Sequence, residues 1–180
     1  MNKYITVIVC VLLLLSACSN SKSEVSHKDT VTIKKTFEYK EKNKDHKVKS
    51  VKSKVNDDTV MFANVDQKGI KTYGKTGRYG GFLSGDLGIK HIDPDMPANS
   101  SGQLVSYEYI AEKNPDKIFY INRTDDDSKG LPQELKNPVI KNVSAIKNKD
   151  ILKFDSNTWF FGSGGISSTI KQLDDIEKAY

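Results

Sequence analysis

The sequence predicts an α/β fold, with one small parallel or mixed sheet covered by helices. Short apolar stretches typical of buried strands recur along residues 57–180, and helix-like segments alternate with them. This region is long enough for one hydrophobic core of ordinary size. We therefore expect one lobe at residues 57–180, preceded by a less regular N-terminal part.

Three strands are predicted in this lobe. Residues 59–65 (TVMFANV) form the first strand, and the polar turn at residues 66–69 ends it. Residues 117–121 (KIFYI) form the second, and residues 150–154 form the third. These stretches are short and apolar, which favours strands buried in a sheet.

Helices are predicted between the strands. Residues 80–87 form a short helix after a glycine loop, and residues 131–136 form another. Ser106 is a good N-cap for a helix over YEYIAEK, which the pair Asn114-Pro115 ends.

A last helix is predicted to run to about Lys178, capped by Ser163 or Ser167. One face of it is apolar, as expected for a helix that covers a sheet. The residues of that face are Ile166, Ile170, Leu173 and Ile176.

The N-terminal part, residues 18–56, is polar and rich in lysine, which is typical of a flexible tether. Apolar residues alternate with polar ones in part of it, as in a half-buried strand. The segment EKNKDH then allows a turn back into KVKSVKSKV, so we expect a Lys-rich β-hairpin. The alternating residues are Val31, Ile33, Phe37 and Tyr39.

Residues 1–17 read as a lipoprotein signal peptide. A positively charged start precedes an apolar run that is too short to span a bilayer as a mature helix. The run ends in Leu15-Ser16-Ala17-Cys18, which resembles a bacterial lipobox. The resemblance implies cleavage before Cys18 and acylation of the chain there, palmitate included, with anchoring at the extracellular face of the cell membrane. The alternative is an ordinary secretory signal with a chance cysteine.

The charge pattern directs attention to two residues. The net charge of +5 at pH 7 is a weak argument for nucleic acid, so no nucleic-acid partner is expected. Of the 28 basic residues only Arg78 and Arg123 are arginines. A guanidinium offers a rigid five-donor fork that lysine cannot copy.

Residues 69–76, GIKTYGKT, match the phosphate-binding loop G-x-x-x-x-G-K-T. The match lacks its context, because glycines follow Thr76 where a helix should begin and the variable positions are bulky. A P-loop nucleotide hydrolase is therefore the weakest interpretation.

No metal site or catalytic group is predicted. His91 has no second histidine nearby, Asp125 to Asp127 match no standard calcium loop, and Ser163 lacks an assignable acid–histidine pair. We expect a protein without enzymatic activity and without a cofactor.

Three stretches carry a family resemblance: TYGKTGRYGGF, GQLVSYEYIAEKNPDKIFYINR and LKNPVIKNVSAIKNKDILKFDSNTWFFGSGG. They resemble the C-terminal lobe of siderophore-binding lipoproteins, the substrate-binding components of Gram-positive iron ABC importers of the catecholate type. The resemblance implies a Rossmann-like lobe of a two-lobed periplasmic-binding-protein fold. By this resemblance the leader at residues 29–55 joins the lobe directly, so the N-terminal lobe and most or all of the connecting helix are expected to be missing.

The resemblance also implies roles for individual residues. Arg78 and Arg123 match the arginines that hold the anionic ferric complex, and Tyr79, Trp159 and Phe160 are candidates for stacking on it. Phe160 stands where several relatives have a tyrosine that completes the iron shell, and it has no oxygen to do so. A histidine used similarly in some relatives aligns with Ser101.

Glu108 matches an acidic residue that docks the lobe onto the permease in the membrane. The resemblance thus implies a ferric siderophore and an ABC permease as partners. The expected function is that of a truncated siderophore receptor with weakened ligand binding. The alternative is a degenerate fragment with no transport role, which would expose the apolar surface that normally meets the other lobe.

Overall fold

A computed structural model of the chain describes residues 27–124, 131–162 and 164–180, and the chain divides into two units, Met1–Phe37 and Glu38–Tyr180. Six strands and four α-helices are assigned in the described residues. Their order is α1 His27–Lys54, β1 Thr59–Asp66, β2 Gly69–Thr72, β3 Lys90–His91, β4 Gln103–Leu104, α2 Tyr107–Lys113, β5 Lys117–Asn122, α3 Ser144–Asn148, β6 Ile151–Phe154 and α4 Ile166–Glu177.

The strands form one mixed sheet, which confirms the predicted α/β fold of a single lobe. The main path runs β4-β2-β1-β5-β6, with β3 paired to β1. The pairs β1 with β3, β1 with β5, and β5 with β6 are parallel, whereas β2 is antiparallel to β1 and to β4. The three predicted strands are therefore β1, β5 and β6, which lie side by side in parallel, with β6 at the edge of the sheet.

Both faces of the sheet are covered, as the continuous apolar pattern of β1 requires. Val60 and Phe62 face one core cluster, which includes residues of α4 and the end of α1. Met61, Ala63 and Val65 face the other, which includes residues of α2 and α3. Alternation along a single strand thus supplies both cores.

The predicted hairpin in the N-terminal part is wrong, because His27–Lys54 is one α-helix of 28 residues. The apolar side chains that suggested a strand pack against no sheet and are exposed, at 38% for Val31 and 70% for Tyr39. The segment between 27 and 54 contains no glycine or proline, so nothing in it breaks a helix.

The end of α1 packs on α4. Val51 is fully buried in the core, and Lys47 forms an ion pair with Asp174. One carboxylate oxygen of Glu177 accepts hydrogen bonds from Ser50 Oγ at 2.8 Å and from Lys54 Nζ at 2.7 Å. These contacts attach residues 47–54 of α1 to α4 within the second unit.

The remaining helices follow the sequence with small differences. Ser106 caps α2 as predicted, by accepting a hydrogen bond from the Tyr109 amide at 3.1 Å. The predicted serine cap of α4 is wrong for Ser167, which lies inside the helix. The Gly165 carbonyl accepts from the Thr169 amide at 2.9 Å, so the helix starts after that glycine. Ser163 lies outside the described residues.

Two of the predicted helices form, but neither is an α-helix. The first is a π-helical turn, Gly81–Asp86, and the second is a 3-10 helix, Gln133–Lys136. Within the described ranges, no helix is both long enough and apolar enough to cross a membrane.

Candidate anion-binding site

The carboxyl ends of the parallel strands β1, β5 and β6 meet at one edge of the sheet, where α/β folds commonly place ligands. Arg123 directly follows β5 at this edge and is exposed. Its amide donates to the Val65 carbonyl at 2.7 Å, which extends the pairing with β1. The backbone of Arg123 is thus fixed by the sheet itself.

The segment after β6 is tied to the same edge. Asp155 Oδ1 accepts hydrogen bonds from the Thr158 hydroxyl and amide, both at 2.8 Å, and these bonds lower the pKa of Asp155. Ser156 Oγ donates to the Asn122 carbonyl at 2.7 Å. The π-helical turn Asn157–Phe161 follows and places Phe160 beside Arg123.

The glycine loop after β2 brings the second arginine to this edge. A Cβ atom added at Gly74 would lie 2.4 Å from the Met96 carbonyl oxygen, and one at Gly80 would lie 2.1 Å from the Gly74 carbonyl oxygen. Only glycine permits backbones to approach so closely. Arg78 is exposed between these positions.

This loop is not a nucleotide-binding loop. Lys75 is exposed, and the next helical turn begins only at Gly81. A phosphate cradle needs a helix that starts at the Lys-Thr pair, so that its amides point at the phosphates. The match of residues 69–76 to the P-loop pattern is therefore accidental.

Both arginines lie against the Phe160 ring, and Arg78 Cζ also lies 5.4 Å from the centroid of the Tyr79 ring. The Cζ atom of Arg123 lies 3.7 Å from the centroid of the Phe160 ring, and that of Arg78 lies 4.4 Å from it. Arg78 Nη2 also donates a hydrogen bond to the Phe160 carbonyl. The structure thus brings together Arg78, Arg123 and Phe160, three of the residues that the sequence singled out.

Tyr79 and Trp159 lie in the core below this surface. Tyr79 is 3% exposed and stacks on Phe62 with ring centroids 4.1 Å apart. Trp159 is fully buried, and its indole Nε1 donates to Asp175 at 3.0 Å. Their stacking on a ligand stays a prediction, and this buried placement does not support it.

The Tyr79 hydroxyl is buried and has no hydrogen-bond partner among the described residues. Burial raises the pKa of Tyr79 well above its ordinary value, and the nearby Tyr73 adds to that rise. The positive charges of Arg78 and Arg123 act in the opposite direction. The phenol is therefore neutral at physiological pH.

Phe161 belongs to the same surface, and the sequence analysis missed it. Its side chain is 70% exposed, and its ring meets the Phe160 ring edge-on with centroids 5.0 Å apart. Arg123 Cζ lies 6.0 Å from the Phe161 centroid. A large exposed aromatic beside two guanidinium groups can stack on a planar aryl ligand. Nothing in the pair Phe160-Phe161 distinguishes the two rings before folding.

Charge near the site is predominantly positive. Asp66, at the carboxyl end of β1, forms an ion pair with Lys71 at 2.7 Å. Burial opposes ionisation of Asp66, but the hydrogen bonds from Lys71 and the Lys68 amide, with the charge of Arg123, lower its pKa overall. Within the described residues, no carboxylate forms an ion pair with Arg123. The surface therefore suits an anion with planar oxygen acceptors.

The other predicted residues lie elsewhere or outside the described residues. Glu108 is exposed in the first turn of α2, and hydrogen bonds from its own amide and Ser106 lower its pKa. Ser101 is exposed in a loop. The ring nitrogens of His91 lie 2.7 Å from the Asp93 carbonyl and 2.6 Å from the Tyr73 carbonyl. Cys18 and the run from Asp125 to Asp127 are outside the described residues.

A groove of about 520 Å³ lies beside α2, away from the arginine pair. It is lined by Asp93, Met96 and Leu104, with Tyr109 and Lys113 from the helix. The Tyr109 hydroxyl donates to Asp93 at 2.9 Å, and Lys113 forms an ion pair with the same carboxylate at 3.1 Å. These polar groups already satisfy one another, and no arginine of the described residues lines the groove.

Comparison with known proteins gives one family. The family described as "Periplasmic binding protein" matches residues 34–158. The petrobactin-binding protein YclQ of Bacillus subtilis (strain 168) is 32% identical over 160 residues, which cover 83% of this chain and 50% of that protein. The ferric-anguibactin-binding protein FatB of Vibrio anguillarum (strain ATCC 68554 / 775) is 30% identical over 147 residues, which cover 74% of this chain and 45% of that protein. The chain spans about half the length of the curated relatives it matches.

Solved structures agree with the fold. The crystal structure of YclQ superposes with a TM-score of 0.73 at 28% identity, covering 81% of this chain and 52% of that one. The periplasmic catecholate-siderophore binding protein VctP from Vibrio cholerae gives a TM-score of 0.70 at 26% identity, covering 82% of this chain and 54% of that one. The similarity is that of one half of a longer binding protein.

Proposed function

We propose a function from one established premise: the chain belongs to the periplasmic binding protein family. We infer that it is the C-terminal half of the substrate-binding component of an iron–siderophore ABC importer. Its ligand class is an anionic ferric catecholate siderophore, and the chain has no enzymatic activity. The names of the relatives, which bind petrobactin, ferric anguibactin and a catecholate siderophore, support this ligand class.

The arginine pair against Phe160 is the observation that carries the proposal. A ferric tris-catecholate has a net charge of −3 and presents planar oxygen acceptors. Guanidinium forks match planar acceptors better than ammonium groups do. The chain is rich in lysine, yet its only two arginines meet at the carboxyl edge of the sheet.

Binding by this half alone is expected to be weak. A charge-assisted hydrogen bond contributes roughly 1.5–3 kcal/mol. If two or three such contacts came from another lobe, their loss would cost about 3–9 kcal/mol, which is roughly two to six decades in affinity. Phe160 has no phenolate oxygen, so recognition rests on charge and on stacking, with no iron ligand from that position.

Two further roles belong to the proposal. Acylation at Cys18 would tether the chain to the extracellular face of the cell membrane. Glu108, exposed on α2 and ionised at neutral pH, would meet a basic patch of the permease. Both roles come from the family resemblance, and the role of Glu108 is also supported by its charge and its exposure.

Fluorescence of Trp159, the chain's only tryptophan, tests ligand binding. The full chain, kept in solution by a mild detergent because of its apolar N-terminal run, is titrated with ferric tris-catecholate. We expect weak, saturable quenching that the variant Arg78→Ala/Arg123→Ala lacks. Nanomolar affinity would refute weakened binding, and equal quenching of the native chain and the double variant would refute the site.

A further inference from the structure

We infer that Phe160 is a positioning residue that holds Arg78 and Arg123 as a pair before any ligand arrives. The role of this positioning in ligand binding rests on the proposed function. The positioning itself is a property of the free chain, so it can be measured without a ligand.

The geometry points to one ring as the shared support. The Cζ atoms of Arg123 and Arg78 lie 3.7 Å and 4.4 Å from the Phe160 centroid, both within the range of a cation–π contact. The two cations therefore lie no farther apart than the sum of these distances. Like charges so close repel one another. The Phe160 ring supplies an attraction to each cation that opposes this repulsion.

A stacked guanidinium stays available to an anion. Stacking uses the face of the guanidinium plane, whereas its N–H donors lie in that plane and point outward. Arg78 donates from Nη2 to the Phe160 carbonyl, and this bond fixes it to the same residue. A neutral ring can therefore pair the two arginines without consuming the donors that a ligand needs.

Phe160 is itself held in place by its neighbours. The preceding Trp159 is fully buried, and its amide donates to the Asp155 carbonyl at 3.0 Å. Gly162 closes the turn by donating to the Asn157 carbonyl at 2.7 Å. A side chain on such a rigid turn fixes what stacks on it, whereas exposed arginines otherwise sample many rotamers.

The low arginine content makes the test direct. Because the chain has two arginines, its ¹⁵N-labelled form gives two Nε–Hε signals in an NMR spectrum. The Phe160 ring current should move both signals upfield of the free-arginine positions. The variant Phe160→Leu should lose most of each displacement, and the Tyr79 ring, 5.4 Å from Arg78 Cζ, and the Phe161 ring, 6.0 Å from Arg123 Cζ, should supply the remainder. The variant Phe160→Tyr, which keeps a ring, should retain both displacements.

Phe161→Leu is the matched control. It removes the neighbouring exposed ring, which lies 6.0 Å from Arg123 Cζ, and should leave the Arg78 displacement unchanged. Unchanged displacements in a folded Phe160→Leu variant would overturn the inference. If that variant fails to fold, nuclear Overhauser effects between the Phe160 ring and both arginine side chains in the native chain decide the matter, and their absence refutes it.

A ligand probe separates this inference from the proposed function. Gallium(III) tris-catecholate is a diamagnetic trianion, so it can be titrated against the same two signals. We expect Phe160→Leu to weaken binding of this probe roughly five- to thirty-fold, as the loss of two cation–π contacts implies. If the native chain does not bind the probe, the proposed function fails, while the ring-current result still decides whether Phe160 positions the arginines.

Discussion

Replacing Arg123 by lysine keeps the charge at the site and removes only the planar fork. The backbone of Arg123 is fixed by the hydrogen bond from its amide to Val65, so the change is confined to the side chain. An ammonium group on a flexible stem cannot offer two parallel donors to a planar acceptor. We expect Arg123→Lys to bind a ferric tris-catecholate more weakly than the native chain, with little effect on folding.

The structure sets the size of the expected changes in stability and in affinity for Arg123→Lys. Arg123 is exposed, and its stacking on Phe160 is worth about 0.5–1 kcal/mol, so the free energy of unfolding should fall by no more than that. Loss of one charge-assisted hydrogen bond to the ligand costs roughly 1.5–3 kcal/mol. Affinity should therefore fall about ten- to 150-fold.

Fluorescence titration of Trp159 at fixed ionic strength measures the affinity, and urea denaturation measures the stability. Lys75→Ala is the control, because Lys75 is an exposed cation in the loop that carries Arg78. It should change the affinity little. The reasoning would be refuted if Arg123→Lys bound as tightly as the native chain, or if Lys75→Ala lost as much affinity as Arg123→Lys.

Three further predictions concern stability. Val51→Ala should lower the free energy of unfolding, measured in urea, by about 1.5–3 kcal/mol because Val51 is fully buried. Val31→Ala should have little effect, because Val31 is 38% exposed. Equal effects of the two variants would contradict the docking of the end of α1 on α4. Tyr79→Phe should raise the free energy of unfolding by about 1 kcal/mol, because the buried Tyr79 hydroxyl has no hydrogen-bond partner among the described residues. A loss of stability in urea would contradict this prediction. Hydrogen bonds from the Thr59 amide and hydroxyl lower the pKa of Asp116 below its ordinary value of 3.8. The ionised Asp116 carboxylate therefore stabilises the folded chain above pH 3.8, and this stabilisation is lost as the pH falls through the lower pKa of the folded state. The melting temperature should therefore fall on acidification below about pH 4, and Asp116→Asn should show a smaller fall; an unchanged pH dependence would contradict the assignment.

The central strands could be predicted from the sequence because parallel strands buried on both faces are mostly apolar. This holds for β1 and β5, and the N-cap of α2 was equally visible in Ser106. The short strands β2, β3 and β4 could not be predicted. Gly69–Thr72 is four residues long, and it is a strand only because β1 offers an antiparallel partner next to it.

The N-terminal helix shows where local pattern misleads. Alternating apolar residues suggested a strand, but a strand needs a partner and a buried face. Here the absence of breakers and the contacts of Val51, Ser50 and Lys54 with the last helix favour α1 instead. Tertiary packing overrides local pattern in such cases.

The sequence by itself determined the α/β class and the family, and it singled out two rare arginines, because strand burial, glycine loops and residue choice are local properties of the sequence. Only the tertiary structure decided that Arg78 and Arg123 share one ring, that Phe161 joins their surface, and that Tyr79 and Trp159 are core residues. These facts depend on how three strand ends converge, and contacts between residues far apart in the chain are fixed only once the sheet has formed.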